Sequence, residues 1–260
     1  MTNNKTKYPI ILVHGMVAKD FKFLRAFRII KEELIKNGYE VFVSDIDGIG
    51  SIENNAIQLK EEILKILKDN NYFKINIIAH SKGGLDSRYM ISKLEMDEFI
   101  SSLTTLSTPH HGSKTSRKLL KLPKFIKRII AFFANFIYKF FKDKNPDLLK
   151  VAEELQDTEM VKFNLEVKDS SKVYYQSYSS EVFNKIDLMF VPHIVTKYLE
   201  EENTDGIVSV SSAKRTNYKG NIDGKLSHSD MVGITFGKKK LLKVVSFYLN
   251  IIKDIENLGF

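Results

Sequence analysis

After seven polar residues the chain enters an unbroken apolar run, Tyr8-Pro-Ile-Ile-Leu-Val-His-Gly-Met16. Apolar side chains at every position, rather than at alternate ones, mark a strand buried on both faces, as in a parallel sheet. Over residues 21–36 the apolar positions take helical spacing (Phe23, Phe27, Ile30, Leu34), and Asn37-Gly38 supplies a stop. Residues 39–43 read as a second strand. Residues 52–67 read as an amphipathic helix with Ile52, Ala56, Leu59, Ile63 and Leu67 on one side. A third apolar run ends at Ala79, a helix follows to about Met96, and residues 102–107 form another strand. Strand and helix thus alternate through the first half, which predicts a doubly wound, mostly parallel α/β sheet in a single domain over 1–260. Beyond it, residues 146–163 look helical, 173–178 form a strand, 203–210 a turn and an apolar run, 224–233 a polar loop, and 238–255 a closing helix.

Residues 114–144 break the alternation. They hold ten basic residues against Asp143 alone, more than the +8 formal charge of the whole chain, so the remainder is about neutral. A nucleic-acid binder would spread a basic stripe over its fold, and confinement to one insertion argues against that partner. On a helical wheel Lys124, Lys127, Arg128, Asn135, Tyr138, Lys139 and Lys142 share one narrow face, and phenylalanines and isoleucines fill the rest. The uncharged run over 129–138 is too short to span a bilayer. Two readings fit: a core helix with a solvated charged edge, or a helix lying between water and lipid. Its position, directly after the fourth strand, is where a cap over the crevice of such a sheet would be inserted. That favours a helical lid over about 114–160, able to make transient contact with a membrane surface.

Cysteine is absent, which removes disulfides and thiolate metal sites. Residues 1–7 lack an apolar core with a small-residue cleavage site, so no signal peptide is visible. The expectation is a cytoplasmic chain as it stands, or a secreted one whose leader has been cleaved.

The candidate chemistry centres on Ala79-His80-Ser81-Lys82-Gly83, between an apolar strand and a helix. This is the G-x-S-x-G elbow with alanine in place of the first glycine. The flanking residues must be small because strand and helix backbones pass close together, which leaves the Ser81 hydroxyl exposed at a helix N-terminus. Such a hydroxyl needs a histidine within hydrogen-bond reach and a carboxylate to orient it, in the chain order serine, acid, histidine. His228 is the histidine that follows a turn carboxylate of the Asn-x-Asp-Gly kind, Asp205; His110 and His111 read as loop-shaping residues. The backbone N–H groups of Lys82 and Met16 are the expected oxyanion donors.

Five blocks carry a resemblance. Lys7 to Met16, Ile77-Ile-Ala-His-Ser-Lys-Gly-Gly84, Leu103-Thr-Thr-Leu-Ser-Thr-Pro-His-His-Gly-Ser113, Asn203-Thr-Asp-Gly-Ile-Val208 and His228-Ser-Asp-Met-Val232 resemble, in order, those of the Pseudomonas-type bacterial triacylglycerol lipases. The resemblance implies an α/β-hydrolase fold, hydrolysis of lipid carboxyl esters by the triad Ser81, Asp205 and His228, oxyanion donors Met16 and Lys82, and a helical lid. It also implies a structural Ca²⁺ beside the histidine, with acidic ligands Asp187 and Asp230 and carbonyls from about Ile234 and Lys238; carboxylates with backbone oxygens suit that hard cation. Zinc is not expected, since no histidine lies between His14 and His80. A short-chain carboxylesterase, a polyester hydrolase or an acyltransferase would use the same fold and triad. A non-catalytic membrane-surface protein is the reading from another class.

Overall fold

The computed structural model describes residues 5–16, 26–182, 194, 198, 203–222, 226–235 and 237–260. The strands pair side by side. β1 (Ile10–Val13), β2 (Val41–Val43), β3 (Ile75–His80), β4 (Ile100–Leu106), β5 (Tyr174–Ser179) and β6 (Tyr218–Asn221) form one sheet in the order β2-β1-β3-β4-β5-β6, with every pairing parallel. Every residue of β1, β3 and β4 is buried, because helices cover both faces. Alternate residues serve opposite sides. Ile10, Leu12 and Ile78 meet Ile30 and Leu34 of α1 (Arg28–Lys36) and Tyr248 and Ile252 of the last helix, α9 (Lys238–Asn257). Ile11, Ile77 and Leu103 meet Leu59 and Ile63 of α2 (Ile52–Asn70) and Met90 of α3 (Lys82–Lys93). The Ser51 hydroxyl caps α2 by accepting from Asn54 N at 3.2 Å, and Asn71 ends it in the left-handed region at φ 57°.

Three differences from the sequence expectation have physical causes. The helix expected from residue 21 begins at Arg28, because Phe27 takes the left-handed region at φ 63°; 17–25 lie outside the described residues. The region over 146–163 is two helices, α6 (Leu148–Glu154) and α7 (Asp157–Glu166), because Ser113 N takes the Leu155 carbonyl at 2.8 Å and interrupts the ladder. Residues 203–210 form the turn expected of them, outside the sheet. The Asp205 carboxylate accepts from Ile207 N and Val208 N at 3.0 and 2.9 Å, a local turn that competes with sheet pairing, and the short helix α8 (Val210–Ala213) follows. β6 went unanticipated because Tyr-Lys-Gly-Asn has no apolar run; it is an edge strand with alternating exposed positions.

The insertion holds α4 (Lys114–Leu120) and α5 (Lys124–Phe140), and α5 sits inside out. Ala131 is its one fully buried residue, while Phe125, Phe132, Phe136 and Phe140 are 64–75 % exposed. Part of the polar edge makes contacts, while Lys124, Arg128, Lys139 and Lys142 stay exposed. Asn135 Oδ1 accepts from Leu148 N (2.9 Å), Lys127 Nζ donates to the Leu120 carbonyl (3.0 Å), and the Tyr138 hydroxyl donates to the Met16 carbonyl (3.3 Å). The core-helix reading is therefore wrong: the apolar sector faces away from the body of the protein.

Candidate active site

β3 ends at His80 and α3 begins at Lys82, so Ser81 alone makes the reversal, with φ 56° and ψ −135°. Side chains rarely adopt this backbone, and holding one there costs about 1–3 kcal/mol. The surroundings hold it. Ser81 N donates to the Leu106 carbonyl of β4 at 3.0 Å and the Ser81 carbonyl accepts from Gly84 N at 3.1 Å. Gly83 has no room for a side chain because the His14 carbonyl lies against it. The loop after β1 approaches as closely. A Cβ on Gly15 would stand 2.6 Å from Ser81 Cβ, 2.9 Å from Lys82 N and 3.0 Å from Ser81 Oγ. The Gly15 backbone thus borders the space shared by the hydroxyl and the first N–H of α3.

Asp205 and His228, distant in sequence, meet twice. His228 Nδ1 lies 2.8 Å from Asp205 Oδ2, and His228 N donates to the Asp205 carbonyl at 2.8 Å. Asp205 is fully buried, and with its other oxygen on two backbone N–H groups the carboxylate cannot swing. The bond commits Nδ1 and turns Nε2 to whatever approaches the ring. On its other side the ring packs on His80, the residue before Ser81, with centroids 4.3 Å apart. Burial, with the nearby rings of His228 and His14, holds the His80 pKa well below the ordinary imidazole value. His80 is thus a neutral wall beside His228. Both candidate side chains are buried: Ser81 is 6 % and His228 7 % exposed.

Beneath the turn lies an ion pair. Lys82 Nζ donates to Asp86 Oδ1 at 2.7 Å with both side chains essentially inaccessible, and Asn55 Nδ2 of α2 donates to Asp86 Oδ2 at 3.1 Å. Burial pushes the Asp86 carboxyl up to about 6, against the pull of Lys82 and Asn55. The spacing of Lys82 and Asp86, four apart on a helix, was legible; that they turn inward was not, since such pairs usually lie in solvent. His110 is held between Arg88 Nη1 (3.3 Å) and Thr105 Oγ1 (3.0 Å), so it shapes the loop after β4 as expected. Burial and the Arg88 charge hold its pKa well below the ordinary value.

Of the residues expected to ligate calcium, the structure describes Asp230, Ile234 and Lys238. Asp187 lies outside the described residues. Asp230 is in a 3-10 turn two residues past His228, but its Oδ2 accepts from Lys240 Nζ at 2.7 Å and from Ser227 N at 2.9 Å. Ile234 N donates to the Ser229 carbonyl at 3.1 Å, and Lys238 opens α9. Among the described residues no three His, Cys, Asp or Glu side chains cluster in a metal-binding arrangement. Lys240 was missed because nothing in a lysine-rich helix start marks one lysine as paired.

Residues 3–177 match the family model described as "Putative serine esterase (DUF676)". The chain is 29 % identical over 261 residues to triacylglycerol lipase 2 of Saccharomyces cerevisiae, covering 89 % of this chain and 73 % of that protein. It is 35 % identical over 115 residues to a triacylglycerol lipase of Pseudomonas fragi, covering 44 % of this chain and 39 % of that lipase. Bacillus licheniformis lipase BlEst2 in its mature form superposes with a TM-score of 0.70 at 20 % identity, over 96 % of this chain and 92 % of that one. That likeness, with the parallel sheet and its flanking helices, identifies the architecture as the α/β-hydrolase fold.

Proposed function

The chain belongs to this DUF676 family of serine esterases, and from that premise we propose that it hydrolyses lipid carboxylic esters with Ser81 as nucleophile, His228 as general base and Asp205 as the residue that orients it. The observation that carries the reading is the 2.8 Å bond from His228 Nδ1 to a buried, doubly anchored Asp205, with the ring packed at a tilt against the residue that precedes Ser81. Ser81 attacks the ester carbonyl as His228 Nε2 takes its proton. Asp205 holds the ring in one tautomer and stabilises the imidazolium. The Lys82 and Met16 N–H groups take the developing oxyanion, in the space that the missing Gly15 side chain leaves beside Ser81 and Lys82 N. The imidazolium then protonates the leaving alcohol, and water repeats the cycle on the acyl-enzyme.

A water–lipid interface as the place of work is supported by α5. Its phenylalanines point outward among basic residues, and its Tyr138 bonds the Met16 carbonyl at 3.3 Å, in the loop proposed to hold the oxyanion. We read α5 as a lid on the strength of that bond: seating its apolar face in lipid would draw Tyr138 off Met16 and open the site. The test is a panel of p-nitrophenyl esters from acetate to palmitate with wild type and Ser81→Ala. Turnover that rises with chain length in micellar substrate and is lost in a folded Ser81→Ala variant is expected. A preference for acetate would favour the short-chain esterase reading, acyl transfer to an added alcohol in place of hydrolysis the acyltransferase, and full activity in Ser81→Ala would overturn the assignment.

A further inference from the structure

The carboxylate expected to bind a divalent cation carries an ammonium. Asp230 Oδ2 is 2.7 Å from Lys240 Nζ, and the same oxygen accepts from Ser227 N, so this oxygen already serves two donors. Asp230 is nearly inaccessible and Lys240 about one-fifth exposed, which keeps the pair out of bulk water on the carboxylate side. A calcium ion binds carboxylate oxygen at about 2.3–2.6 Å. It would have to stand where Nζ stands, or bring two further positive charges against it, so ion and lysine exclude each other at this oxygen.

The pair joins two elements that matter. Asp230 starts the 3-10 turn immediately after His228, and Lys240 is in the first turn of α9, whose Tyr248 hydroxyl donates to the Met231 carbonyl at 2.9 Å. Two bonds from one helix therefore fix the turn that presents His228. A metal bridging this turn to its neighbours would supply the same restraint. We infer that Lys240 is a built-in cation, a positioning residue that pins the His228 turn to α9 through Asp230, and that the turn keeps its order without a divalent metal. The activity arm of the test rests on His228 being the general base; the thermal arm does not.

The experiment measures Tm and ester turnover of wild type, Lys240→Met and Lys240→Arg, each in excess EDTA and in millimolar CaCl2. Wild type should show the same Tm and turnover in both buffers. Lys240→Met should lower Tm and reduce kcat about tenfold to a hundredfold with little change in KM, as expected when a reacting group is displaced by about an ångström. Lys240→Arg, which keeps the charge, should restore most of both. A wild-type Tm that falls in chelator and recovers in calcium would overturn the inference, as would a Lys240→Met variant with wild-type Tm and kcat. If Lys240→Met does not fold, the two wild-type melts and Lys240→Arg still decide. Absence of ester turnover with the expected pattern of melts would sink the proposed function and leave the lysine in place.

Discussion

α2 and α5 are both strongly amphipathic helices of similar length, and the chain packs them in opposite senses. α2 buries Ile52, Ala56, Leu59, Ile63 and Leu67 and gives its charges to water. α5 buries Ala131, turns Lys127, Asn135 and Tyr138 toward the body, and leaves its phenylalanines outside. Periodicity reveals that a helix has an apolar face; it does not say what will cover that face. For α2 the cover is the sheet. For α5 it is sought outside the chain, since an apolar patch of this size is too unfavourable in water to be incidental.

The contrast can be broken at several points. Leu59→Ala, on the buried face of α2, should destabilise by about 2–5 kcal/mol, read as a shift in the denaturation midpoint. A smaller loss would mean that α2 is also loosely held. α2 also reaches the site through Asn55, and this can be sharpened by pH. Between its ordinary value of 3.8 and about 6, the Asp86 carboxyl binds more protons folded than unfolded, so its contribution to stability falls as pH rises through that window. Asp86→Asn lacks this titration. The stability gap between wild type and Asp86→Asn should therefore shrink by about 2 kcal/mol from about pH 4 to about pH 6. A gap that widens instead would identify Asp86 as an ordinary ion-paired carboxylate.

The α5 side predicts smaller effects and a different readout. Lys124→Glu and Arg128→Glu, both at exposed positions, should each remove about 1 kcal/mol or more of binding to anionic vesicles while sparing short soluble esters. Equal loss on both substrates would tie α5 to the fold. Phe132→Ser and Phe136→Ser should move the denaturation midpoint by no more than about 0.5 kcal/mol. A loss on the scale of Leu59→Ala would mean that their faces are covered after all.

What was legible in the sequence follows from how each residue is used. The run that became β1 is apolar at every position and the core of β3 nearly so, as a doubly covered strand accommodates; β4 buries Ser101, Ser102, Thr104 and Thr105 among its apolar residues. Ser81 was legible from its small neighbours, and the close approach of the His14 carbonyl to Gly83 gives the reason. Asp205 was legible as a turn former, and the carboxylate does make the turn with one oxygen while the other meets His228. Charged residues whose partners lie inside the protein were illegible. Lys82, Asp86 and Lys240 have the composition of a surface, and only the fold brings their partners to them. β6, a polar edge, offers no apolar face to read.

The most direct measurement is the rate at which a fluorophosphonate labels the folded protein, with the modified residue located by peptide mapping, in wild type and in His228→Ala. Labelling confined to Ser81 and slowed at least about a thousandfold in the variant is the predicted result. Labelling at another residue, or at Ser81 with an unchanged rate when His228 is gone, would contradict it.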